Sequence, residues 1–193
     1  MRKIEFKDIV DIADYERKRK TFRAQIMEIK NQRRLHVGPK VTYLFENFDT
    51  MLYQIQEMTR AERIVDEEGI MQEIRAYNEL IPDENQISAS MLIEIDDTDE
   101  RKEFLTRIVD LPSYTYLTVN EEKIIPWFDP RQGTDDKLSS VQYVKFQLNE
   151  KLVDKIGESK SRMVFGFNHP RYRYEYELSP EQKKILYQDL TSG

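Results

Sequence analysis

Cysteine is absent from the 193 residues, so this chain alone cannot form disulfides, thiolate nucleophiles, cysteine-ligated zinc sites or iron–sulfur clusters. Only two histidines occur, His36 and His169, which leaves at most an oxygen-rich metal site with one imidazole, and no ligand spacing supports one. The six glycines are scattered singly, and neither a glycine-rich phosphate loop nor a serine or threonine in a nucleophile elbow can be found. The familiar nucleotide chemistries are disfavoured on that ground. No apolar run approaches the length of a membrane span, and MRKIEFKDIV lacks the apolar stretch of a signal peptide. A cytoplasmic location is the expectation.

What is present is enough for a real core. Apolar residues make up 39% of the chain and aromatics 11%, in a length that suits one large domain or two small ones packed together. Charged residues reach 34%, yet the apolar residues recur at helix and strand periods, so the chain reads as folded. The net charge of -6 conceals two opposed blocks. Tyr15 to Lys40 carries nine basic and two acidic residues, whereas Glu46 to Glu103 carries five basic and seventeen acidic. Such blocks either pair inside the fold or present two faces to a partner. The acidic block of matching size favours internal pairing or an acidic protein partner over nucleic acid or an anionic membrane.

The spacing predicts an α+β fold in which residues 1–84 are helical and pack on a mixed or antiparallel sheet formed by residues 85–193, as one compact unit. Asp14 is the expected cap of a first helix with Tyr15, Phe22, Ile26 and Ile29 on one side, ended by HVGPK. A second helical stretch is expected from Tyr43 to Leu80, with a break near Gly69. Strands are expected at Ser88 to Ile95, Tyr114 to Val119, Lys123 to Phe128, Val141 to Leu148, Arg162 to Phe167 and Tyr172 to Glu177. Helices are expected at Asp99 to Val109, Glu150 to Ile156 and Pro180 to Asp189. This order repeats a strand–helix–strand–strand unit, with Asn120 and Asn168 at the two hairpin bends. A true repeat implies a pseudo-twofold sheet with a central cleft; two convergent α+β units are the alternative.

Candidate chemistry starts at Leu44. At 100° per residue, Leu44, Phe48, Met51, Leu52, Ile55 and Met58 share an arc that must face a core, and Glu62 falls inside it. The opposite side lines up Glu46, Thr50, Tyr53, Glu57 and Arg60, flanked by Asn47, Asp49, Gln54 and Gln56. One reading is a solvated face with local pairs, Glu57 with Arg60 and Arg63 with Glu67. The other is a polar network or cleft floor covered by the sheet, with Arg131, Gln142 and His169 on the opposite wall, where a carboxylate beside a histidine could do acid and base work or hold a metal. A di-iron site of the ferritin type needs a glutamate followed three residues later by histidine. Here Val65 and Arg60 stand at those positions, so the motif is missing. His169 precedes a proline-fixed turn, and turn histidines are more often structural than catalytic.

VGPKVTYLFENFDTMLYQIQEM, YNELIP, FDPRQ, SSVQYVKF, NHPRY and LYQDL, in this order along nearly the whole chain, resemble a bacterial family classed as a domain of unknown function. Phe48 and Lys40 depart from its pattern, in which arginine and histidine are expected. The resemblance implies genes near those of rubrerythrin-like and iron–sulfur proteins, and hence a role in redox or oxidative-stress metabolism. It supplies no catalytic residues and no cofactor. The expected function is therefore a non-enzymatic accessory protein that docks a rubrerythrin-like or iron–sulfur partner. The alternative is an enzyme or a small-ligand or metal binder with a polar cleft between the helical part and the sheet.

Overall fold

A computed structural model describes residues 1–134 and 136–192. After a short 3-10 turn at Phe6–Asp8, helix α1 (Ile12–Gln32) leads into strands β1 (Arg34–His36) and β2 (Val41–Phe45), then helices α2 (Phe48–Glu62) and α3 (Glu67–Asn78). Strand β3 (Gln86–Ile93), helix α4 (Thr98–Arg107) and strands β4 (Thr115–Val119) and β5 (Glu122–Ile124) follow. The short strands β6 (Trp127–Phe128), β7 (Gly133–Thr134) and β8 (Lys137–Leu138) precede β9 (Val141–Gln147). Helix α5 (Glu150–Gly157), strands β10 (Met163–His169) and β11 (Tyr172–Glu177) and helix α6 (Pro180–Thr191) complete the chain. The α+β class holds, with antiparallel pairing throughout the described sheets.

Several local expectations are corrected. The cap of α1 is Asp11, which accepts from the Asp14 amide, one turn ahead of the expected residue. Residues 41–45 form a strand because Val-Thr-Tyr-Leu-Phe is a β-branched and aromatic run, and helix starts only after Asn47 and Thr50 close a reciprocal cap. The arc from Leu44 to Glu62 is therefore not one helix face: Leu44 belongs to a strand, and Glu62 is exposed in the last turn of α2. The helical break falls at Arg63, in the left-handed region at φ 55°, and Asp66 caps α3 through the Gly69 amide. The expected strand Lys123 to Phe128 is two strands in two sheets, divided around Pro126.

The larger sheet has the order β1-β2-β3-β9-β6 and the second the order β11-β10-β4-β5. The units β3-α4-β4-β5 and β9-α5-β10-β11 place their first strands side by side in one sheet, their second strands side by side in the other, and their last strands at opposite edges. This is the arrangement that two units related by a pseudo-twofold produce. Asn120 occupies its bend with φ 54°, but Asn168 lies within β10 opposite Arg173, and the second bend is made by Pro170 and Arg171.

The sheets pack face to face over a filled interior, so the expected central cleft is replaced by aromatic packing. Phe165 of β10 lies 5.1 Å from Phe45 and 5.2 Å from Phe146, and Tyr43 lies 5.6 Å from Phe165, all between ring centroids. The Tyr43 hydroxyl is buried there without a partner among the described residues. The other face of the larger sheet carries Thr42, Leu44, Ser88, Ser90 and Tyr143, and the helices cover it. A second core of Ile4, Met51, Ile55, Ile74, Leu80 and Ile81 fills the helical layer, with Tyr143 of β9 packed against it. Asp189 of α6 receives both Arg33 Nη atoms, at 2.6 and 2.8 Å, which ties the last helix to the end of α1.

Candidate functional site

Glu46 follows β2 on the helix-facing side of the larger sheet and is 4% exposed. Its Oε1 accepts from Ser90 Oγ at 2.6 Å across the neighbouring strand, and its Oε2 accepts from Thr50 Oγ1 at 2.6 Å in the first turn of α2. Burial pushes its pKa above the usual carboxylate value, opposed by these two hydroxyls and by the charges of Lys30 and Arg33. Lys30 is affected in the mirror sense, with burial lowering its pKa while Glu46 raises it. Its Nζ sits 5.0 Å from the centre of the buried Tyr53 ring. Asn47, also buried, completes the group by exchanging hydrogen bonds with Thr50.

Glu57 lies farther along α2 and faces α1. Arg19 donates to it through Nε and Nη2, each at 2.7 Å, and the Tyr15 hydroxyl donates at 2.7 Å. The Arg19 fork holds the Glu57 carboxyl at about 2. Arg60 donates to Glu16 of α1 at 2.5 Å. The expected pairing of Glu57 with Arg60 is thus replaced by two crossed links between helices. Helices packed side by side bring carboxylates and guanidinium groups together as effectively as adjacent turns do.

The residues expected on the opposite wall lie in three other places. Arg131 is exposed and grips Asp129 and Glu79, with Nη2 at 2.6 Å from each. Gln142 points into the sandwich side of β9, and its amide donates to the carbonyls of Gln132 at 2.8 Å and Ser139 at 3.0 Å, pinning the loop before that strand. His169 is buried at the end of β10, where Nδ1 accepts the Arg171 amide at 3.1 Å, so the proton resides on Nε2, which faces Asp110 at 3.0 Å. Both imidazole nitrogens are engaged. Glu46 and His169 lie on different sheets, with the aromatic interior between them. Among the described residues, no group of three histidine or carboxylate side chains is placed to hold a metal.

Asp110, Ser90 and Lys30 are the neighbours that residue spacing did not supply for His169 and Glu46. Asp110 comes through a turn, Ser90 through strand register and Lys30 through the packing of α1, whereas Thr50, four residues from Glu46, is near enough for spacing to align the two.

The two charge blocks meet in part. Arg19, Arg34 and Lys40 pair with Glu57, Glu94 and Glu100 of the acidic segment. Lys18, Lys20 and Arg23 are exposed on α1 and make no ion pair or side-chain hydrogen bond among the described residues. On the Lys18 side of α1, an open hollow of about 520 Å³ is lined by Asp8, Val10, Arg17 and Phe22 together with Leu52 and Gln56 of α2. No helix is long and apolar enough to cross a membrane among the described residues.

Comparison with solved structures finds a novel protein of unknown function from Burkholderia pseudomallei K96243, determined by crystallography, that is 27% identical, with a TM-score of 0.91 over 98% of this chain and 100% of that one. No curated protein matches the chain. A protein-family model described as protein of unknown function (DUF3501) matches residues 3–190. With that match running almost end to end, the chain belongs to the DUF3501 family.

Proposed function

We propose that this protein is a non-enzymatic accessory protein of the cytoplasm that docks an acidic partner through α1. The observation that carries this reading is that Lys18, Lys20 and Arg23 stand exposed on α1 without an ion pair among the described residues, on a protein of net charge -6, while Arg17 and Arg19 of the same helix are paired. Exposed cations of this kind steer an acidic surface into encounter, and the hollow beside Lys18, with Val10, Phe22 and Leu52 in its lining, offers a place for an anchoring side chain. A rubrerythrin-like or iron–sulfur protein is the partner class that the family resemblance implies, and it would place the chain in redox or oxidative-stress metabolism.

The test is co-purification with the proteins encoded beside it, at low and high ionic strength. A complex that forms at low salt, dissociates at high salt and is lost in Lys20→Glu/Arg23→Glu supports the reading. An unchanged monomer with every neighbour-encoded protein contradicts it.

A further inference from the structure

Two sequence motifs absent from the docking reading meet at one place, the turn Val37–Lys40 and the turn that follows His169. Tyr172 joins them: its hydroxyl donates to the Val37 carbonyl at 2.7 Å and accepts from the amides of Lys40 at 3.2 Å and Val41 at 3.1 Å. Gly38, with φ 78°, lies so close under the Tyr174 ring that an added Cβ would stand 2.5 Å from it. Phe104 of α4 packs edge-on against Tyr172 at 5.7 Å. Three segments distant in sequence are thereby fixed around an open hollow of about 560 Å³, lined by Lys40, Phe104, Arg107, Ile108 and Arg171.

The lining holds three cations and two apolar residues and no carboxylate, in a protein with more acidic than basic residues. Lys40 and Arg107 lean on Glu100 and Glu103 from the same helix in exposed pairs, which are weak and exchangeable. The Arg171 guanidinium has no hydrogen bond or ion pair among the described residues, and Asp110 is engaged by His169. Lys40 Nζ also lies 4.6 Å from the centre of the Phe104 ring, so charge and apolar surface adjoin.

We propose that this hollow binds a small organic oxyanion, its charged group held by Arg171, Arg107 and Lys40 and its flat apolar part resting on Phe104. The volume falls within the range of small-molecule sites, and a guanidinium fork matches a phosphate or carboxylate edge. None of the five residues lies on α1, so the proposal stands or falls independently of partner docking.

The test titrates the full chain at low salt with phenyl phosphate, benzoate, inorganic phosphate and the phenethylammonium cation, followed by amide chemical shifts. Phenyl phosphate or benzoate is expected to saturate with shifts centred on residues 38–40, 104–108 and 170–172, and more tightly than inorganic phosphate. Arg171→Ala, which removes no side-chain hydrogen bond or ion pair among the described residues, is expected to weaken binding at least about tenfold, and Arg171→Lys to retain part of it. Phe104→Leu is expected to narrow the gap between phenyl phosphate and phosphate. Absence of saturation by either aryl anion, equal binding of the cation, or affinity indifferent to Arg171→Ala overturns the proposal.

Discussion

The two faces of the larger sheet are built on opposite principles. The face toward the second sheet is mostly aromatic and aliphatic, with Tyr43, Phe45 and Phe146 meeting Phe165 and Phe167. The face toward the helices carries Thr42, Glu46, Ser88 and Ser90, all buried. Apolar packing is nondirectional and supplies the bulk of stability, whereas buried polar groups are tolerated only when their partners are in place. The sandwich face therefore holds the sheets together, and the helix-facing side orients the helical layer on them. That orientation fixes which residues of α1 face outward.

The largest effect is expected from breaking the aromatic face. Phe165→Ala removes the ring that touches Tyr43, Phe45 and Phe146, and should lower the unfolding free energy by about 4 kcal/mol in urea denaturation. Arg33→Ala comes next. It leaves Asp189 without its bidentate partner in a pair whose side chains are 8% and 14% exposed, for a loss of about 3 kcal/mol and faster amide exchange in α6.

The two carboxylates of the polar side should respond to pH in opposite directions. Glu57 has its folded pKa depressed to about 2, so its contribution is present above the unfolded value of 4.5 and lost as pH falls from there toward 2. Glu46 has its folded pKa raised, so its contribution is present below 4.5 and lost as pH rises through the elevated value. Glu46→Gln should remove the second dependence and leave the first, as read from denaturation midpoints across pH. An unchanged profile would mean that Glu46 is solvated.

The smallest effect sharpens the contrast from the aromatic side. Because the Tyr43 hydroxyl is buried without a partner among the described residues, Tyr43→Phe should raise stability by about 1 kcal/mol. A loss of that size would reveal a hydrogen bond to the hydroxyl, such as one from a buried water.

How much of this was legible depended on the range of the interactions. Helices α5 and α6 start at the expected residues, Glu150 and Pro180, where the structure shows Asn149 and Ser179 capping them within one turn. Strand β11 follows from the alternation of tyrosine with charge. Strand β2 was concealed because its apolar residues also fit the helical arc continued by α2, and β1 and β6 to β8 are too short to carry a period. The candidate site was legible only as a set of residue types. Glu57 finds Arg19, 38 residues away, and His169 finds Asp110, 59 residues away, through packing that no local spacing encodes.

The central claim is that polar side chains of α2 and the sheet serve to hold layers in place, while α1 carries the interaction. The most direct measurement compares Lys20→Glu/Arg23→Glu with Glu46→Gln in one salt-dependent binding assay against the neighbour-encoded proteins. The α1 variant, folded with near-native stability, is expected to lose the partner, and Glu46→Gln to keep it. Retention by the α1 variant together with loss in Glu46→Gln would contradict it.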